Sequence, residues 1–216
     1  MPEKTVQKEP GKKPAPSKKP KPQQEVVVQI PLSELHPFPD HPFQVREDAS
    51  MQETAESVKE YGVLVPALAR PREDGGYELI AGHRRKHACE LAGLATMPVI
   101  VRDIDRDAAT IIMVDSNLQR ENILPSERAK AYKMKMEAIK RQGARTDLTS
   151  PKISAKFRSD DEVGQDAGVS GDTIRNYIAL TQLVPELQQM VDEKKIALSP
   201  AYQIAALTPK EQGLLL

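Results

Sequence analysis

The sequence predicts an α+β protein: a small mixed α/β domain over 25–124, then an all-α domain over 125–216 containing a helix–turn–helix at about 160–183. Three observations carry this. Short β-rich runs alternate with helical runs as far as Leu118. From Pro125 onward every segment reads as helix. Residues 1–24 hold seven lysines and six prolines without one aromatic, too little apolar surface to offset ordering entropy, so a disordered tail is expected there. A length of 216 residues suits two small domains, and a mean hydropathy of −0.51 suits a chain that is partly unfolded.

Val26–Ile30 is a β-rich run closed by Pro31. Residues 51–61 form a helix, with Ser50 as candidate N-cap, Glu53 three residues on, and Gly62 as the stop. Val63–Ala69 reads as extended. Asp74-Gly75-Gly76 is a hairpin turn leading into the strand Tyr77–Ile80. A helix from about His83 to Leu91 stops at Gly93, a strand covers Met97–Arg102, and a helix covers Asp107–Leu118. In the second half, Pro125 opens a helix over 126–142 that ends at Gly143. Helices follow near 160–167 and 171–183, and others open at Pro185, at Ser199-Pro200 and at the capping box Thr208–Glu211. The closing Gly-Leu-Leu-Leu has no evident partner, which predicts that the native chain continues past Leu216 into a dimerisation segment.

Lysine plus arginine equals aspartate plus glutamate at 31 each, which excludes an evenly basic protein. The charge is nevertheless divided: net +5 in the tail, −7 over 25–124 and +2 over 125–216. Within the last part, Arg128 to Arg158 holds ten basic residues against only Glu137 and Asp147. Such concentration is how a phosphate-binding face looks, and Arg145, Lys152, Lys156 and Arg158 are its candidate DNA contacts; a solvated helix face would give the same count. The tail is either a solvated leader or an electrostatic tether to nucleic acid or protein. No apolar run approaches the roughly 18 residues of a membrane span, and no signal-peptide core follows Met1, so a cytoplasmic chain is expected. Cys89 is the only cysteine, which excludes internal disulfides and zinc sites built from several thiolates; its apolar flanks place it in the core.

The stretch 77–88 puts Gly82 between a strand and a helix whose first turn carries Arg84, Arg85 and Lys86. Cations oppose the positive end of the macrodipole unless an anion binds there; the glycine lets backbone approach a phosphate, and the alternative is pairing with nearby acids. His83, His87 and Glu90 share a helix face, but the adjacent arginines oppose a metal. Asn117–Asn122 gathers amides, Arg120 and a carboxylate, suited to a magnesium–phosphate group. In 160–180, Val163, Ala167, Val169, Ile174 and Ile178 supply packing positions, Gly168 fits the tight turn and Ser170 caps the second helix. Ser170, Gly171, Thr173, Arg175, Asn176 and Tyr177 are read as outward, able to meet phosphates or base edges, although an ordinary helical hairpin has the same pattern.

Taken in order, these elements resemble the ParB family of DNA-partition proteins over about residues 25–216. Pro42-Phe43-Gln44-Val45-Arg46 is similar to the family's N-P-x-Q-x-R, and Gly62-Val63-Leu64-Val65-Pro66 to G-(L/V)-x-Q-P. Ile80–Arg85 resembles the G-E-R-R box, and Asn117–Glu121 matches E-N-x-Q-R-E from its second residue. The resemblance implies a ParB/sulfiredoxin-like α/β domain binding CTP with magnesium, and a homodimeric clamp on a specific, palindromic double-stranded DNA site. Slow CTP hydrolysis reopens such a clamp. By position, Gly82, His83, Arg84 and Arg85 fall at the triphosphate with Gln119 and Arg120. Asn117 would hold magnesium through the nucleotide, Arg46 lies near the phosphates with Gln44 as candidate catalytic residue, and Gly62, Val63, Leu64 and Pro66 line the base pocket.

His83 and Ser116 stand where the family has glutamates, and Val65 where it has glutamine. A ParA-type ATPase is a family partner, but residues 1–24 lack the arginine such tails often carry. Similar variants occur on mobile elements and plasmids, giving a nucleoid- or plasmid-associated setting. Two other functions stay open: a helix–turn–helix regulator without nucleotide switching, and an enzyme, nuclease or nucleotide hydrolase, on the same fold. Gly82 stands where sulfiredoxins place their catalytic cysteine.

Overall fold

Five short strands form one mixed sheet in the order β1-β5-β3-β4-β2. The computed structural model describes residues 25–120, 122–147 and 159–216, and the tail at 1–24 lies outside them. The strands are β1 (Val27–Pro31), β2 (Leu35–Pro37), β3 (Ala67–Pro71), β4 (Tyr77–Ala81) and β5 (Thr96–Val101). β3 and β4 are the antiparallel hairpin expected from Asp74-Gly75-Gly76, with both glycines at positive φ. β5 returns parallel to β3, and β2 runs parallel to β4.

The sheet is covered on both faces, and the period-2 alternation of β4 shows how. Leu79 points into a core with Met51, Val58, Cys89 and Met97, covered by α1 (Ala49–Tyr61) and α2 (His83–Leu91). Ile80 points the other way, into Phe38, Phe43, Met113, Val114 and Ala131, covered by α3 (Arg106–Leu118) and α4 (Pro125–Asp147). Cys89 is fully buried, and burial with Glu90 nearby pushes its thiol pKa up.

α4 is shared between the two halves. Ala131 packs in the α/β core, whereas Ala129 and Tyr132 pack into the helical part. A boundary drawn at 124/125 therefore divides the sequence but not the packing. The helix also runs through Gly143 to Asp147 rather than stopping there. One glycine costs about 1 kcal/mol relative to alanine, which packing along a long helix outweighs.

The helical part continues with α5 (Ser159–Ala167), α6 (Gly171–Ala179), a 3-10 turn at Leu180–Gln182, α7 (Pro185–Asp192), α8 (Leu198–Ile204) and α9 (Pro209–Gln212). α5 and α6 are the helix–turn–helix, joined at Gly168 (φ 69°) and capped by Ser170, whose hydroxyl accepts from Thr173 N. Val163 and Ile174 are buried and Ala167, Val169 and Ile178 pack around them, as expected. The capping box at Thr208 and Glu211 is formed. Fully buried Gln212 then ties α9 down, accepting from Val184 N and donating to Gln182 O and Leu207 O. Among the described residues no helix is long and apolar enough to cross a membrane.

Three local expectations are corrected. The N-cap of α1 is Asp48, whose carboxylate accepts from Met51 N at 2.9 Å; Ser50 lies inside the first turn. Val63–Pro66 is a bent loop and the strand begins at Ala67, because the carbonyls of Val65 and Pro66 turn to accept from Arg85. α8 begins at Leu198, one residue before Ser199.

Candidate functional site

Two adjoining cavities lie where the loop after β2, the start of α2 and the end of α3 meet. The larger, of about 450 Å³, is lined by Gln44, Arg46, Asp48, Ser50, Arg84, Gln119, Arg120, Asn122 and Glu127. The smaller, of about 220 Å³, shares Gln44, Arg84 and Arg120 and adds His41, Gly82, His83, Arg85, Ser116 and Asn117. Residues from three separate motifs thus converge on these cavities.

Gly82 makes the approach possible. Its φ of 112° is left-handed, and a Cβ there would sit 2.8 Å from Ala67 Cβ. The backbone thereby turns from β4 directly into the N-terminus of α2, where free amides and the helix dipole favour anions. Four guanidinium groups, of Arg46, Arg84, Arg85 and Arg120, border the cavities.

Three of those arginines have prior engagements that the sequence could not show, Arg46 with the Glu127 carboxylate among them. Arg84 reaches Ser50 Oγ at 3.2 Å and Asp48 at 3.7 Å, both on exposed or half-buried groups, so exchange for a phosphate costs little. Arg85 donates to Val65 O at 2.5 Å and Pro66 O at 2.7 Å, and burial pushes its pKa down. It acts first as a strut for the 62–66 loop. That loop is not part of the wall of either cavity, and Leu64 is 77% exposed.

The residue sequence reasoning missed is Glu127. It is buried, accepts from Gln44 N at 3.0 Å and Leu124 N at 3.1 Å, and lies 3.8 Å from Arg46. Its place three residues into a helix opened by Pro125 is a capping position, the signal that could have flagged it. His41, directly before the Pro42–Arg46 motif, was also missed. Its ring stacks on His83 with centroids 3.9 Å apart.

For magnesium, the residues fit in one respect. Asn117 donates Nδ2 to Met113 O at 2.8 Å, which commits its nitrogen to the helix and makes its oxygen the atom able to meet a cation. The neighbouring positions are His83 and Ser116, with Ser116 Oγ turned to Met113 O. No group of three or more His, Cys, Asp or Glu side chains placed to hold a metal occurs among the described residues.

In the helix–turn–helix, Ser170, Arg175 and Asn176 are exposed and Thr173 is partly so. Gly171 is not outward: it is buried against Asp161 of α5, where a Cβ would have no room. Tyr177 also turns inward, edge-on to Tyr132 and Tyr202, with Arg128 over its ring at 5.6 Å. Arg175 pairs with Asp160 and Asp172, so a DNA phosphate or base has to displace carboxylates. The basic run is less available than its count suggests. Arg128 is stacked, Lys135 is buried between Asp115 and Asp166, and Arg141 pairs with Asp107. The side chain of Arg145, and Lys152, Lys156 and Arg158 entirely, lie outside the described residues, as does Glu121.

Fold and site define a class: an α/β domain with an arginine-lined cavity, joined through a shared helix to a helix–turn–helix domain. Family models agree at both ends, a ParB N-terminal domain matching 16–118 and a ParB HTH domain matching 151–216. The chain belongs to the ParB family. It is 34% identical to the chromosome-partitioning protein Spo0J of Thermus thermophilus, over 86% of this chain and 62% of that protein. It is 39% identical to the probable chromosome 1-partitioning protein ParB of Deinococcus radiodurans, over 79% of this chain and 52% of that one. The chain thus spans about half to three fifths of the length of these curated relatives. Among solved structures it matches the C-terminally truncated ParB of Caulobacter crescentus complexed to the centromeric parS site, at 26% identity and a TM-score of 0.54, over 87% of this chain and 97% of that one. A pNOB8-like ParB N-domain, 19% identical with a TM-score of 0.57 over 89% of this chain and 83% of that one, shares the fold.

Proposed function

We propose that this chain is a DNA-binding partition protein whose α/β domain binds CTP with magnesium and whose helix–turn–helix holds a specific double-stranded DNA site, as a homodimeric clamp. The observation that carries the nucleotide half is the convergence of Arg46, Arg84 and Arg120 on a cavity at the N-terminus of α2, behind Gly82. Gln44, at the junction of both cavities, is the side chain we assign to the phosphate end where slow hydrolysis would occur. Asn117 would hold magnesium, a Lewis acid that neutralises phosphate charge. For the DNA half, support comes from exposed Arg175, Asn176 and Ser170 on and before α6, and from the parS complex of the Caulobacter relative. A cytoplasmic, nucleoid- or plasmid-associated location and a ParA-type ATPase partner belong to the same proposal.

Isothermal titration of CTP with magnesium is expected to show saturable binding, weakened roughly ten- to a hundredfold by Arg84→Ala, since one charge-assisted hydrogen-bond partner is lost. Arg84 is the cleaner choice because Arg85 also props the 62–66 loop. If the unmodified protein shows no saturable binding, with or without DNA, the nucleotide half fails. Separately, chromatin pull-down of the tagged protein should give discrete DNA peaks that Arg175→Ala removes, with a loss of about 1–3 kcal/mol per base-reading arginine. Peaks retained by Arg175→Ala would move the reading surface elsewhere. A second reading, a regulator that ignores CTP, is favoured by His83 and Ser116 standing in place of glutamates. DNA retention unchanged by CTP would support it.

A further inference from the structure

We propose that His41 and His83 act as a single phosphate-recognition unit that takes up a proton when nucleotide binds; this rests on the nucleotide reading above and deepens it. The two histidines come from distant parts of the sequence, His41 from the loop between β2 and α1 and His83 from the first position of α2, and their rings stack at 3.9 Å with a tilt of 42°. Both line the smaller cavity beside Gly82, Arg84 and Asn117.

The hydrogen bonding of His41 dictates what its free nitrogen wants. Its Nδ1 lies 2.7 Å from Phe43 O, and a carbonyl only accepts, so Nδ1 carries the hydrogen. In a neutral ring Nε2 is then an acceptor, and it is buried without a partner. His83 Nε2 is buried without a partner as well. Each orphaned atom is a cost that a protonated ring donating to a phosphate oxygen would remove.

What keeps the rings neutral without a ligand is their surroundings. Burial holds the His83 pKa down at about 3, and the facing His41 and the ammonium of Lys86 add to it. Burial also lowers His41, the Phe43 carbonyl bond opposes this, Arg120 lowers it further and Glu127 raises it. Arg84 and Arg85 border the same cavity; His87, which shares another cavity with His83, lies near Glu90 (3.3 Å) and Glu47 (3.5 Å), its Nε2 also buried without a hydrogen bond. A triphosphate, still net negative with magnesium bound, brings negative charge into this cationic cluster and reverses the balance: an O–H bond of hydronium or a buffer acid breaks, an N–H bond forms at an imidazole Nε2, and no bond of the nucleotide changes.

The two positions are also the two departures that meet. His41 stands where N-P-x-Q-x-R has asparagine, and His83 where G-E-R-R has glutamate. Their stacking makes them one coupled replacement rather than two unrelated ones.

The test is calorimetry of CTP with magnesium on the full chain, in buffers of different ionisation enthalpy, which counts protons bound per nucleotide. About one proton is expected at neutral pH, and affinity relative to the His41→Asn/His83→Glu double variant should rise several-fold from about pH 8 to about pH 6. The sign follows from the bound state holding the extra proton, and titration of the nucleotide itself is common to both proteins and cancels. His41→Asn alone serves if the double variant misfolds, with the same loss of proton uptake expected. CTP binding with no proton uptake, or with the same pH profile in wild type and variants, overturns this proposal and leaves the nucleotide site standing. No CTP binding at either pH overturns both.

Discussion

Replacing Asp115 and Asp166 together by asparagine is expected to lower the unfolding free energy by about 2–3 kcal/mol, because it leaves a buried ammonium without its charge partners. Lys135 is 1% exposed and donates to Asp115 at 2.7 Å and to Asp166 at 2.9 Å. Its partners are 44% and 58% exposed, so solvent already screens them, which trims the cost below that of a fully buried triad. The pair of bonds fastens α3, α4 and α5 to one another, the junction of the α/β domain and the helix–turn–helix. Melting temperature should fall by roughly 5–10 °C for a domain of this size. Adding Lys135→Met should recover most of the loss, since an apolar side chain of similar shape needs no partner. A triple variant as unstable as the double would show that the damage is not an unpaired charge. The pH dependence has a definite sign. Burial pushes the Lys135 pKa down, but the two carboxylates outweigh it and hold the group above its ordinary 10.5. Its contribution is therefore complete below that value and lost as pH rises through the higher folded-state value, an alkaline loss the double variant should lack.

Glu127→Ala should be of comparable size, about 2–4 kcal/mol, and should damage the nucleotide site as well. The carboxylate accepts two backbone N–H groups, of Gln44 and Leu124, from within a nearly dry environment. Truncation orphans both amides, uncaps α4 and releases Arg46, so CTP affinity should drop even where the protein is still folded. Glu127→Gln keeps an acceptor oxygen and loses the charge, and should recover about half of the stability. Urea midpoints measure the first effect and calorimetry below the transition measures the second. Wild-type stability in Glu127→Ala would mean that the two amides find other acceptors, and the assigned role would be lost.

How much was legible follows from what each signal depends on. α2 was read at its observed bounds, His83–Leu91, because a glycine on each side and the residues between specify it locally. The Asp74-Gly75-Gly76 hairpin, the Ser170 cap and the Thr208–Glu211 box were legible for the same reason. Errors arose where two local signals compete and packing arbitrates. Asp48 and Ser50 are both good caps, and the engagement of Ser50 by Arg84, 34 residues away in sequence, goes with Asp48 taking the helix end. Gly143 is a sound stop in isolation but not in a helix that packs in two cores. Gly171 and Tyr177 share a helix with exposed Arg175 and Asn176, yet α5 and α4 cover them.

By itself, then, the sequence determined the order and type of nearly every element and the helix–turn–helix, because periodicity, caps and turns act over a few residues, and it carried the motifs Gln44–Arg46, Gly82–Arg85 and Asn117–Arg120 by which it resembles its family. It also showed that zero net charge hides a divided distribution. Only the tertiary structure decided which charges remain available. Lys135, Arg128, Arg141 and Arg175 are each committed to partners in the folded chain, and Glu127 and His41 join the site through contacts with Gln44 and His83, far from them in sequence. The physical reason is that a salt bridge, a stacked ring or a buried acceptor is a relation between residues far apart in sequence, and it exists only once the chain has closed around it.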